Sequence, residues 1–402
     1  MWRIKLYLLK IKEILSLIFF FPLSIIFFLG IILIKPFIQI RISKFRSDKL
    51  GHLSLDYEIY FEEKHRNINI PNNKYIDFWI KDNIICNKFL FNIRKSQINL
   101  LPNIIFKGVL VLIDLFKLKK KFSIERDNPD ADINYVLDNS KTRLRIEKEE
   151  EFNFKNEKIL KQNGYDENLK IILLNIRDSA YRGPSKFTDY RNIYKYENYN
   201  ETIKYLIKNN FFIVRVGLSS NFKFDFKQNF IDYPFSKIMS DQMDLYLAKV
   251  CNFCISTGAG YDGLVRSYRN PVLFTNFLPY GYFYSYGKKN MTIFKHLIDE
   301  KGNKISLNRM LDMNIINNLD GEIFLKNKIS FQENSTEEIL SATKNMINYV
   351  NNNFEKSKNE LDKLIEDFYT IKLLNKYGST SHKKIYSTIC PNFLSSNKYL
   401  FD

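Results

Sequence analysis

Between residues 170 and 276 short apolar runs alternate with segments of helical spacing, and this alternation restricts the possible folds more than any other feature of the chain. KIILLNI (170–176) reads as a buried strand that delivers Arg177 and Asp178 at its carboxyl end, followed by a polar loop with Asp189-Tyr190-Arg191-Asn192. Residues 199–208 carry Ile203, Leu206 and Ile207 on one helical face. A second strand, 211–216, ends in Arg215-Val216-Gly217. Met243, Tyr246, Leu247 and Val250 then recur at helical spacing behind Ser240 and Asp241, a cap and a first-turn acid. A brief strand at 253–255 runs into Ser256-Thr257-Gly258-Ala259-Gly260, and Pro271 opens a last one that finishes at Thr275-Asn276. Such a succession predicts a parallel sheet with helices on its faces.

In open sheets of this kind ligands sit at the carboxyl ends of the strands. Arg177, Asp178, Arg215, Gly217, residues 256–260 and Asn276 all fall at such ends, which points to a functional cleft. The small-residue turn 256–260 would leave amide N–H groups facing outward, an arrangement suited to phosphate. A packing turn of an ordinary α/β domain is the other reading of that stretch.

Residues 14–34, ILSLIFFFPLSIIFFLGIILI, carry no charge, and 21 residues match the roughly 20 that a membrane-crossing helix needs. The run is too long for a secretory signal and no small-residue cleavage site follows. Arg3, Lys5, Lys10 and Lys12 precede it; Lys35, Arg41, Lys44, Arg46 and Lys49 follow it. Positive charge on both flanks leaves orientation open. With Pro22 in the middle, both a single span and a bent helix that re-enters the same leaflet fit. Either arrangement holds the protein at a membrane.

With 402 residues the chain is long enough for two domains, and 45% apolar with 26% charged residues is the balance of a folded protein. The net charge of +17 is spread as lysine among Ile, Asn and Phe, without an Arg-rich block or a nucleic-acid signature. A basic surface near anionic lipid, or a pocket for phosphorylated substrates, fits this better than nucleic acid. The four cysteines do not form a disulfide framework, and the lone C-x-x-C of Cys251 and Cys254 has no second pair, so buried thiols in a reducing compartment are expected.

After the apolar run, segments 75–85 and 104–116 look like strand and helix material. Gly51-His52 is the notable pair there. An imidazole at a chain turn can stand at the lip of a cleft and titrates in the range useful to a general base; a capping or solvated histidine is the alternative. Residues 143–168 are charged and poor in apolar positions, and read as a connecting helix or linker. Asn334-Ser335-Thr336-Glu337-Glu338 starts a largely polar helical stretch that runs to about Leu374.

Taken in order, Leu50-Gly51-His52-Leu53, NIRDSAY (175–181), DYRN (189–192) followed by Tyr199, VRVG (214–217), SDQMDLYLAKVCNFCISTGAG (240–260), PVLFTNF (271–277) and CPNFLSSNKYL (390–400) resemble a family of glycosyltransferases encoded among bacterial surface-polysaccharide genes. The resemblance spans nearly everything after the apolar run and is weakest before residue 140. It implies an α/β fold of two facing Rossmann-like domains (GT-B-like) behind an amino-terminal membrane helix. The parts would be an anchor (1–46), an acceptor domain (47–140), a linker (141–168), a nucleotide-sugar-binding domain (169–350) and a helical tail (351–402).

The same resemblance implies transfer from a nucleotide-sugar donor to a glycan or lipid-linked acceptor at the bacterial inner membrane, on its cytoplasmic side. The nucleotide sugar is a substrate, and neither cofactor nor metal is required. Ser256, Thr257, Gly258 and Gly260 would meet the diphosphate, with Arg215, Arg177 and Arg191 supplying charge and Gly217 and Asn276 completing the donor site. The strand-end loops of this half hold no Asp-x-Asp motif, and the two-glycine turn is not the G-x-G-x-x-G of a nicotinamide enzyme. An inverting reaction needs a base, with His52 the first candidate and Asp178 the second. A sugar-nucleotide epimerase shares the architecture but would not need an anchor; a non-catalytic membrane component of polysaccharide assembly is the other alternative.

Overall fold

The computed structural model describes residues 2–124, 131–140, 144–180, 183, 185, 187–355, 360–378 and 382–402. Tyr181 of the NIRDSAY motif and residues 141–143 at the start of the expected linker lie outside them. The chain forms two compact units, divided between residues 130 and 131.

The first unit begins with α1 (Trp2–Ile34), one continuous helix through Pro22. Three parallel strands follow, β1 (Gln39–Phe45), β2 (Tyr75–Lys81) and β3 (Asn99–Leu101), paired in chain order. Helix α2 (Tyr57–His65) links the first two and α3 (Lys88–Lys95) the last two. The unit closes with α4 (Asn103–Leu115) and the short α5 (Lys119–Phe122). Ile42 and Ile80 of the sheet pack with Phe28 and Ile31 of α1 and Val109, Leu112 and Ile113 of α4 in one apolar cluster. The apolar helix is therefore built into the unit's core along its carboxyl-terminal half.

Gly51-His52, read as a chain turn, is helical instead. Gly51 has φ −60° and ψ −45°, and His52–Asp56 form one π-turn that runs directly into α2. No glycine-type backbone is needed there, so Gly51 does not signal a reversal of the chain.

The second unit is built on a seven-stranded, all-parallel sheet. It opens with α6 (Glu149–Gln162), which lies in the stretch read as a linker but packs inside this unit. Phe152 meets the Tyr246 ring, and Lys249 bonds Asn153 and pairs with Glu149. The sheet proper follows in the succession β4 (Lys170–Asn175), α7 (Asn200–Lys208), β5 (Phe211–Arg215), β6 (Phe230–Asp232), α8 (Asp241–Val250), β7 (Phe253–Ser256), α9 (Tyr261–Ser267), β8 (Val272–Phe277) and β9 (Asn290–Phe294). The runs are strands because both faces are covered: β7, β8 and β9 are buried at every position. Ser240 caps α8 by accepting from the Met243 N–H.

A small antiparallel pair, β10 (His296–Ile298) and β11 (Ser330–Gln332), frames α10 (Leu307–Asp312) and α11 (Gly321–Lys326). The expected cap at 334–338 is a full capping box, Ser335 with Glu338, opening α12 (Thr336–Asn351). That helix stops at Asn351, where Asn353 and Phe354 take positive φ, instead of running on to Leu374. Helices α13 (Glu360–Asp367) and α14 (Leu373–Tyr377) are joined by a π-turn. The carboxyl-terminal stretch is not only helical: β12 (Thr388–Ile389) adds the last parallel strand beside β9 before α15 (Pro391–Ser396).

Candidate functional site at the sheet's switch point

Across the sheet the strands run β12-β9-β8-β7-β4-β5-β6. Counted from β4, the first six strands of the chain stand in the order 3-2-1-4-5-6, and the order reverses between β4 and β7. A crevice opens at such a reversal because the two strands send their following segments to opposite faces.

At the carboxyl ends of β4 and β7 the two chains are stitched together. The Thr257 N–H donates to the Asn175 carbonyl at 3.1 Å, and the Arg177 N–H donates to Thr257 Oγ1 at 2.8 Å. Ser256 Oγ, fully buried, donates to Asp262 at 2.9 Å and accepts from Asn175 Nδ2 and from the Gly258 N–H. Thus the hydroxyls of Ser256 and Thr257 are occupied in shaping the turn. Gly258 sits at φ +75°, where a Cβ would lie 3.2 Å from the Phe277 ring and 3.6 Å from an Arg191 nitrogen. Glycine is required there by backbone and by space. Gly260 begins α9 in ordinary helical geometry.

The loop after β4 folds back over these ends. Arg177 Nε donates to Asn192 at 3.1 Å, and Arg191 Nη2 donates to the Gly258 carbonyl at 2.6 Å. The Arg191 Nε is buried without a hydrogen-bond partner. The Arg191 guanidinium thereby stands on the glycine turn, while the Arg177 side chain holds the neighbouring Asn192.

Sequence reasoning missed the residue that fixes this loop. Lys295, between β9 and β10, is buried and its ammonium donates to the carbonyls of Tyr190 (3.1 Å) and Asn192 (2.7 Å). Burial lowers its pKa to about 8, with Glu333 opposing and Arg177 adding to the shift. A lone lysine inside the apolar run NMTIFKHLI was the available signal.

The remaining sequence candidates are placed differently. Arg215 is 1% exposed, turned inward, with Nε on Asp232 at 2.5 Å and Nη2 on the Phe222 carbonyl at 2.8 Å. Gly217 follows it at φ +137°. Asp178 accepts from the Ala180 and Asn221 N–H groups, Tyr196 Oη and Ser220 Oγ, so its carboxylate ties two loops together. Asn276, at φ +51° in an irregularity of β8, exchanges two 2.6 Å bonds with Asn334 and donates to Tyr199. The side chains of Arg215, Asp178 and Asn276 are committed to the protein itself. Arg177, Arg191 and the Gly258 turn are brought together.

No family model matches this sequence, and no curated protein matches it. Among solved structures the chain is similar to three bacterial proteins. One is described as the glycosyl transferase family 9 from Veillonella parvula, at 12% identity over 76% of this chain and 96% of that chain, with a TM-score of 0.44. Another is the E. coli ADP-heptose lps heptosyltransferase II, at 13% identity over 72% and 97%, with a TM-score of 0.37. The third is the iron-containing dodecameric glycosyltransferase TibC from enterotoxigenic E. coli, at 11% identity over 79% and 77%, with a TM-score of 0.39. With superpositions this loose, fold and site stand on the strands, register and side chains described above.

The first unit holds its own constellation. His52 is 8% exposed and its Nδ1 lies 3.1 Å from Asp56 Oδ2. Asp56 also lines a cavity of about 300 Å³ with Arg41, Lys44, Tyr60, Lys64 and Trp79. Arg41 forms a two-bond fork with Asp77 at 2.7 Å, while the buried Trp79 Nε1 has no partner. Cys251, Cys254 and Cys390 are buried, as expected, whereas Cys86 is half-buried; burial pushes the Cys251 thiol up to about 12.

Proposed function

We propose that this chain is a glycosyltransferase that moves a sugar from a nucleotide-sugar donor to a glycan or lipid-linked acceptor in surface-polysaccharide synthesis. One observation carries the reading. Arg177, Arg191 and the Gly258 turn meet at the switch point of an all-parallel sheet, where an anionic ligand is best received. The motif resemblance after the apolar helix supplies the chemistry that such a site would perform.

In this reading the departing nucleoside diphosphate lies against the Gly258 turn. The two guanidiniums neutralise the charge that grows on the leaving oxygen, so no metal ion and no cofactor is needed. Lys295 is a positioning residue: it holds the carbonyls of Tyr190 and Asn192 and so aims Arg191. Arg215 and Asn276 brace the strand ends through their side chains and border the donor site together with Gly217. The acceptor belongs to the first unit, whose cavity mixes cationic and aromatic side chains in the way polyhydroxylated, phosphate-bearing ligands require. His52 is the base. Asp56 Oδ2, 3.1 Å from Nδ1, orients the imidazole for taking the acceptor hydroxyl's proton. Asp178 keeps a structural task. Helix α1 holds the protein at the bacterial inner membrane with both units on the cytoplasmic side, where nucleotide sugars are made.

Detergent-solubilised protein incubated with a panel of nucleotide sugars tests this. One donor should raise the melting temperature and be hydrolysed slowly, and Arg191→Ala should remove both effects. No shift with any nucleotide would favour a non-catalytic assembly component. His52→Ala should lower transfer by roughly 100-fold or more while leaving the donor's thermal shift in place; full transfer activity in that variant would remove His52 from the mechanism.

A further inference from the structure

Helix α4 is apolar on two sides. One stripe, Val109, Leu112 and Ile113, is buried in the first unit's core. A second, Ile104, Val111 and Leu115, recurs at spacings of seven and four residues and is 45%, 43% and 68% exposed. Phe116, just past the helix, is 58% exposed. An ordinary surface helix would be polar there.

This second stripe continues the exposed face of α1. The helices cross closely at Gly108, where a Cβ would lie 2.3 Å from Ser24 Oγ, and Ser24 also donates to the Ile105 carbonyl at 2.7 Å. Phe27, 40% exposed, meets Phe106 at 5.1 Å, and the exposed Phe116 stacks on the buried Phe28 at 5.6 Å. Further round α1, Phe19, Ile26 and Leu33 are exposed by 77%, 65% and 74%. A contiguous apolar surface of this kind marks a contact with a partner or a membrane.

Charge says which. Both helices end at the same edge, where Lys35 lies over the Phe122 ring at 5.8 Å. Lys117, Lys119, Lys120 and Lys121 follow α4 directly, with Asp114 paired to Lys119 at 3.3 Å. An apolar face bordered by lysines matches acyl chains bordered by anionic headgroups. The depth of packing matters as well. Because Phe28 and Ile31 of α1 share a core with Ile42 and Ile80 of the sheet, the carboxyl-terminal part of α1 cannot enter a bilayer without α4 meeting it too.

We propose that α1 and α4 form a single membrane-contacting face, with α4 laid along the surface layer of an anionic bilayer and Lys35, Lys117, Lys119, Lys120 and Lys121 at its headgroups. This rests on the membrane-anchor part of the proposed function and fixes the first unit against the lipid instead of tethering it at a distance.

The test uses the full-length chain in a Cys86→Ser background, reconstituted with phosphatidylcholine vesicles with or without phosphatidylglycerol. An environment-sensitive fluorophore is placed on Leu115→Cys, on Ile26→Cys for α1, or on Phe154→Cys as a control in the second unit. The labels at 115 and 26 should shift to the blue and be quenched by brominated lipid, and the label at 154 should not. At 115 the shift should grow with phosphatidylglycerol and fall when Lys117, Lys119, Lys120 and Lys121 are changed to Gln. An aqueous label at 115 beside an embedded one at 26 overturns the α4 face and leaves the anchor standing. Aqueous labels at both positions sink the anchor itself. A blue-shifted label at 115 that brominated lipid does not quench assigns the face to a second copy of this chain and overturns the proposal.

Discussion

Gly258 and Lys295 show how much of the candidate site depends on single atoms. A methyl at position 258 would meet the Phe277 ring and disturb a positive-φ backbone, at a cost of about 1–2 kcal/mol. Gly258→Ala should therefore lower the melting temperature modestly yet remove the donor-induced shift, because Arg191 bonds this glycine's carbonyl; calorimetry with and without donor separates the two effects. His382 bears on the pH dependence of stability. Burial lowers its pKa from 6.5 to about 4, and its ring bonds Ser285 Oγ and the Gly281 carbonyl. Between those two values the unfolded chain binds a proton that the folded one does not. Stability from this group is thus fully present above pH 6.5 and lost as pH falls towards 4, a change on the order of 3 kcal/mol. Denaturant titrations at pH 7 and pH 4.5 should show the loss, and His382→Gln should reduce it.

The sequence motifs at strand ends proved legible as elements but not as contacts. Apolar runs, helical spacing and the serine caps located β4, α7, β5, α8, β7 and β8 to within a few residues, since each depends on neighbours along the chain. What Asn276 does could not be read that way. Its partner Asn334 lies 58 residues on, and their paired bonds clasp the irregular end of β8 to the start of α12. Asn334→Ala would leave the Asn276 N–H and the Phe294 carbonyl unsatisfied in the interior, and should cost roughly 3 kcal/mol in chemical denaturation. Conversely, Gly51-His52 looked like a turn because glycine so often marks one, and helical packing of Leu53 and Leu55 overrode that signal.

At the scale of the whole molecule, the division between residues 130 and 131 carries a prediction of its own. Residues 131–402 contain the entire seven-stranded sheet, its covering helices and the switch-point cluster. Expressed without the first unit, this segment should be folded and soluble without detergent, and should retain the donor-induced thermal shift while losing transfer; circular dichroism and the same nucleotide panel check it. Sequence by itself determined the α/β class, the apolar helix, the buried thiols and the set of polar residues at strand ends, all of which follow from periodicity and composition over a few turns of chain. Only the tertiary structure decided what each of those polar residues touches. Strand order put Arg191 on Gly258 and Arg177 on Asn192 and turned Arg215 and Asn276 inward, through hydrogen bonds between residues from 15 to 67 positions apart. Such bonds form only once the sheet has brought distant segments together, and local pattern holds no record of them.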